Sequence, residues 1–113
     1  MSFKEVSFPG LDVTPATGTG NIATSTTLNK AFRLDHISCH FSTGTNNSMT
    51  ITLNANDGAA YDTVLRTITT STTTDIYWEP DKETILEKGD EINVAWTNDA
   101  AYSYGLRIVT EEV

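Results

Sequence analysis

A single cysteine, Cys39, stands in a chain of 113 residues, so no internal disulfide can staple the fold. An unstapled domain of this length depends on one apolar core, in which roughly two-thirds of the unfolded surface is buried. That fits synthesis in a reducing cytoplasm. No run of 18 apolar residues occurs, and Met1-Ser2-Phe3-Lys4-Glu5-Val6 lacks the basic region and apolar stretch of a signal peptide, so neither a membrane span nor Sec export is expected. Basic residues are scarce: 7 Lys and Arg against 15 Asp and Glu give a net charge of −8. Phosphate backbones and anionic headgroups are held by clustered Lys and Arg, so nucleic acid and membrane are not expected as partners. No stretch has apolar positions at helical spacing between caps, which restricts helix to a turn or two.

In place of these features the chain has threonine, 20 residues of it. Thr is β-branched, loses rotamer freedom in a helix and suits a half-buried pleated surface. Alternation agrees in Met49-Thr50-Ile51-Thr52-Leu53, Ile76-Tyr77-Trp78, Ile92-Asn93-Val94-Ala95-Trp96 and Tyr104-Gly105-Leu106-Arg107-Ile108. Turn-forming residues separate the runs, as in Asn56-Asp57-Gly58, Pro80-Asp81-Lys82 and Lys88-Gly89-Asp90. Strands are expected over 3–8, 22–28, 31–42, 48–54, 61–69, 73–79, 84–87, 91–97 and 102–110. The fold class is all-β: a single antiparallel β-sandwich, jelly-roll-like, of about eight strands with little or no helix.

The run Ala31 to Phe41 changes phase. Phe32 and Leu34 share one face and Ile37, Cys39 and Phe41 the other, so a β-bulge near Asp35–His36 is predicted to turn all five inward. Residues 9–20 are small, flexible and almost uncharged, and read as a surface loop or an extended arm that adds to a neighbouring subunit's sheet. The division expected is an N-terminal arm or loop over 1–20 and a sandwich domain over 21–113. Residues 1–56 sum to zero charge, so all of the −8 lies in 57–113.

No set of residues converges on catalysis in the sequence. His36, Cys39 and His40 are the only His and Cys, but on a strand the two histidines stand roughly 13 Å apart with Cys39 on the opposite face, which does not make a zinc site. No Gly-x-Ser-x-Gly elbow or phosphate-binding Gly loop occurs, and nothing singles out a carboxylate pair. No enzyme activity, metal or cofactor is expected. Trp78 and Trp96 keep phase with core positions, whereas Tyr61, Tyr77 and Tyr102 are candidates for exposure, leaving a carbohydrate- or receptor-binding module as the alternative function. The candidate interaction surface comprises Phe3, Phe8, Leu11, Val13, Tyr61, Tyr77 and Tyr102. Thr69 to Thr74 form a hydroxyl-rich loop or edge.

The phrases Phe32-Arg33-Leu34, Met49 to Leu53, Gly58-Ala59-Ala60-Tyr61-Asp62, Ile76-Tyr77-Trp78-Glu79-Pro80, Lys88-Gly89-Asp90-Glu91-Ile92 and Tyr104 to Ile108 together cover about residues 31–110. In these the chain resembles the small jelly-roll or sandwich decoration (cement) proteins of tailed-bacteriophage heads. The resemblance implies a virion structural protein that binds the major capsid protein or another virion protein. It also implies a homo-oligomer, a trimer by preference, and carries no functional residue across. On this reading the neutral N-terminal portion, with residues 1–20, docks on the particle and the acidic remainder faces solvent.

Overall fold

The β-branched, alternating pattern resolves into strands in the computed structural model, which describes residues 11–44 and 47–113. In chain order these are β1 (Leu11–Gly18), β2 (Ile22–Thr27), β3 (Phe32–Phe41), β4 (Ser48–Asn54), β5 (Thr63–Thr69), β6 (Asp75–Trp78), β7 (Ile85–Leu86), β8 (Glu91–Trp96) and β9 (Tyr104–Glu112). A 3₁₀ turn, Ala59–Tyr61, lies between β4 and β5. The strand expected over 3–8, and with it Phe3 and Phe8, lies outside the described residues.

Two antiparallel sheets result. One runs β1-β9-β3-β6, with β7 also on β3, and the other β2-β8-β4-β5. β6 pairs with Ile37–His40 and β7 with Phe32–Arg33, so the two lie end to end along one side of β3. Pro80, which has no N–H to give to a ladder, falls in the break between them. Among the described residues nine strands therefore fill eight lanes, and the lane order is that of a jelly roll.

The predicted bulge is present. Pairing along β3 and β9 passes from Leu34↔Thr110 to His36↔Val109, leaving Asp35 unpaired in the register. Phe32, Leu34, Ile37, Cys39 and Phe41 are all buried as a consequence. Opposite them the second sheet contributes Met49, Ile51, Ile92, Val94 and Trp96. The Trp96 indole is tilted against Phe41 with ring centroids 4.6 Å apart. Trp78 shares the inward face but is only partly buried at the sheet edge.

Within the loop or arm expected over 9–20, the described part is corrected by the pairing of β1. All eight residues of Leu11–Gly18 pair antiparallel with β9, so the sandwich begins no later than Leu11. Its inward positions are Asp12, Thr14 and Ala16, none of them a large apolar side chain, and Thr14 Oγ1 instead donates a 2.9 Å hydrogen bond to Thr26 Oγ1 on β2. Pro15 is tolerated because β1 is an edge strand among the described residues.

A second correction concerns charge. Every ladder joins a strand from residues 1–56 to one from 57–113, so the neutral and acidic halves of the sequence interleave and do not form two sides. Charge separates instead along the strands. The antiparallel pairings bring connections 19–21, 70–74 and 97–103, with 42–44 and Asn47, to one end. Connections 28–31, 55–62 and 87–90 lie at the other end with the last residues of β9. The described residues of the first group carry one charge, Asp99. The second group holds Asp57, Asp62, Glu87, Asp90, Glu111 and Glu112 against Lys30 and Lys88.

Cys39 points into the core, where burial pushes its thiol up to about 12. Alkylation by iodoacetamide at pH 8 is expected to be more than about a hundredfold slower in the native protein than in guanidinium, because the thiolate is both rare and covered. Equal rates would show that the β3 core face is open.

Candidate functional site

Loops positioned by a rigid scaffold are where a β-sandwich carries function, and the uncharged end is built for rigidity. Asn98, buried at the start of the β8–β9 connection, ties that connection to the one between β1 and β2. Its Nδ2 faces the carbonyls of Thr19 at 3.0 Å, Gly20 at 3.0 Å and Tyr102 at 2.8 Å, while its Oδ1 accepts from the Tyr102 N–H at 3.0 Å. The Asn98 N–H donates to Asn21 Oδ1 at 2.8 Å. Asn47 works in parallel: Nδ2 donates to Thr97 O at 2.7 Å and to Asp99 Oδ2 at 3.0 Å, and its carbonyl accepts from Trp96 Nε1 and from Thr70 Oγ1. Ser42 and Ser103 exchange two further bonds, N–H to Ser103 O at 2.8 Å and Ser103 N–H to Ser42 Oγ at 3.0 Å.

Backbone strain collects at the same end. Thr72 (φ 62°) and Ala101 (φ 54°) are the non-glycine residues with positive φ among those described. Each such conformation costs about 1–3 kcal/mol and persists only where its surroundings over-determine it. Gly44 packs so closely on Thr72 that a Cβ there would collide with the Thr72 backbone. The outcome is a fixed, hydroxyl-rich and nearly uncharged tip displaying Thr43, Ser71, Thr72 and Thr73.

The outer face of the five-stranded sheet is the second concave feature. The register sets two ranks across it: Pro15, Arg107, Ser38 and Tyr77, then Thr17, Gly105, His40 and Asp75. These residues line an open depression of about 650 Å³. His40 Nδ1 lies 2.7 Å from Asp75 Oδ1, and Thr74 Oγ1 donates to Asp75 Oδ2 at 3.1 Å. The His40 bond first, and the Thr74 bond second, hold the Asp75 carboxyl below its usual range. The Tyr77 ring stacks on His36 with centroids 4.9 Å apart and planes 27° apart, and the His36 ring is itself fixed by Asp35 Oδ2 at 2.7 Å from Nδ1. Partial desolvation, then the carboxylates of Glu79 and Asp35, push the Tyr77 phenol up.

Those of the expected interaction residues that are described lie in three places. Leu11, Val13 and Tyr77 are exposed, the first two on β1 and the last on β6, on the outer face of the five-stranded sheet. Tyr61 is exposed in the 3₁₀ turn at the acidic end, and Tyr102 is half-buried at the uncharged end. His36 and His40 lie on the outer sheet face with Cys39 inward, and no group of three or more His, Cys, Asp or Glu among the described residues is arranged to hold a metal ion. Asn98, Asn47, Arg107 and Asp75 escaped the sequence reading. The asparagines look like ordinary turn residues, and the other two meet Tyr77 only through register.

No protein-family model matches the chain, and none of the curated protein sequences matches it.

Two outcomes test the geometry of these sites. Asn98→Ala removes the partner of the Thr19, Gly20 and Tyr102 carbonyls and of the Tyr102 N–H, and is expected to destabilise the protein by about 1–3 kcal/mol in urea unfolding, with amide exchange accelerating at Tyr102. A loss below about 0.5 kcal/mol, the size of a neutral surface change, would remove Asn98 as a tie. In an NMR titration the Asp75 carboxyl is expected to protonate below the usual Asp range and to move upward in His40→Ala; an unmoved midpoint would contradict the pairing.

Proposed function

We propose that this chain is a non-enzymatic virion structural protein, most specifically a head decoration or cement protein of a tailed phage, which binds the outer capsid surface as a homo-oligomer. The observation that carries this reading is the difference between the two ends of the sandwich, with six carboxylates at one and a hydroxyl-rich tip whose described connections carry only Asp99 at the other. Interface cores are depleted of Asp, Glu and Lys, so the uncharged tip is the end suited to dock. Connections 19–21 and 97–103 also lose little conformational entropy on binding, because Asn98 and Asn47 already hold them. The acidic end then faces solvent and keeps neighbouring copies apart. The sequence resemblance to cement proteins and the jelly-roll lane order support the same reading.

Removing residues 2–20 would be a poor test, since it takes β1 out of its sheet. Point charges are cleaner. Thr43→Glu combined with Ser71→Glu is expected to weaken binding to heads stripped of the protein more than tenfold while leaving the far-UV circular dichroism unchanged. Asp57→Asn combined with Asp62→Asn, at the opposite end, is expected to bind as the parent does. The reverse pattern would overturn the docking orientation, and absence of particle binding by the folded parent would overturn the function.

A further inference from the structure

The depression on the five-stranded sheet has no part in docking through the loop tip, yet its groups are oriented as a ligand site would need. Tyr77 is 63% exposed although its ring is stacked on His36. His36 covers one face of the ring and is not among the residues that line the depression, whereas Tyr77 is. An aromatic ring held by a stack is a flat platform that loses little entropy when something settles on it.

Polar groups of both kinds stand around that platform. Asp75 already accepts from His40 and Thr74, but each carboxylate oxygen keeps a second acceptor site open to solvent. Arg107 has five N–H donors and no ion-pair partner among the described residues, in contrast to Arg33, which Glu111 engages at 2.6 Å. On the strand of Arg107, Gly105 occupies a position where a Cβ would meet open space, leaving a gap in the rank from Thr17 to Asp75. Arg107, Ser38 and Tyr77 are successive neighbours across three strands, so their Cα atoms span roughly 10 Å at about 4.8 Å per strand. One six-membered sugar ring with its hydroxyls fits that span.

We infer that this depression is a saccharide subsite that takes a neutral hexopyranose, its apolar face on Tyr77 and its hydroxyls shared between Asp75, Arg107 and Ser38. A donor on one side and an acceptor on the other match vicinal hydroxyls, each of which both gives and accepts. An anionic ligand is disfavoured by Asp75 at the site and by the −8 of the whole chain. The volume of about 650 Å³ lies inside the roughly 300–1,000 Å³ of small-molecule sites. This inference does not rest on the virion reading, since the ranks lie on the sheet face and not on the loop tip.

The test is an NMR titration of the full chain with cellotriose, maltotriose and chitotriose, with trigalacturonate as the acidic counterpart. At least one neutral trisaccharide is expected to saturate with a Kd of about 1 mM or tighter, shifting the amides of His40, Tyr77 and Gly105. Tyr77→Ala and Arg107→Gln should each weaken it at least tenfold, and Tyr77→Phe should retain it. Tyr61→Ala, an exposed aromatic at the acidic end, should change nothing. Saturation by none of the three neutral sugars, trigalacturonate binding as tightly as they do, or undiminished binding by Tyr77→Ala would each overturn the inference. Particle binding measured on the same Tyr77→Ala protein should remain unchanged, which separates failure of this site from failure of the docking reading.

Discussion

The unpaired Asp35 on the β3–β9 ladder is the constraint from which most of the molecule follows. Without the extra residue, a ten-residue strand with this sequence would send either Phe32 and Leu34 or Ile37, Cys39 and Phe41 into solvent. With it, all five enter the core against the second sheet, and no disulfide is needed to hold the sandwich. The same shift places His36, Ser38 and His40 together on the outer face. There His36 backs the Tyr77 ring and His40 meets Asp75, so the core and the depression come from one register.

At each end of the sandwich a buried polar residue ties the connections together, Asp90 at one and Asn98 at the other, and the contrast between the two is chemical. At the acidic end Asp90 accepts from the backbone N–H groups of Asn56 and Glu87, both at 2.9 Å, joining the β4–β5 and β7–β8 connections. Gly89 beside it, at φ 88°, lies against the Asn56 side chain where a Cβ would come within 2.8 Å, so this turn admits glycine for two reasons. At the uncharged end the corresponding role falls to Asn98, which needs no counter-charge. A neutral tie permits a neutral tip, and the strain at Thr72 and Ala101 shows how tightly that tip is determined.

Parity along the strands made much of the fold legible. The phase change between Leu34 and Ile37 announced the bulge, and the spacing of Ile92, Val94 and Trp96 announced their common burial. β1 was hidden because its inward positions are Asp12, Thr14 and Ala16, which leave no apolar alternation to read. Charge was legible in amount and misleading in arrangement, because a jelly roll pairs early strands with late ones and only the direction of each strand decides which end a loop occupies. The sites were least visible. Tyr77, Arg107 and Asp75 belong to the two separate strands β6 and β9, brought across β3 by pairings that no local pattern specifies.

Amide hydrogen exchange of the free protein against the particle-bound protein tests the docking orientation most directly. New protection is expected in residues 42–44, 70–74 and 97–103, with residues 55–62 and 87–90 exchanging as they do in the free state. Protection centred on the acidic end, with the uncharged tip unchanged, would contradict the assignment of the docking surface.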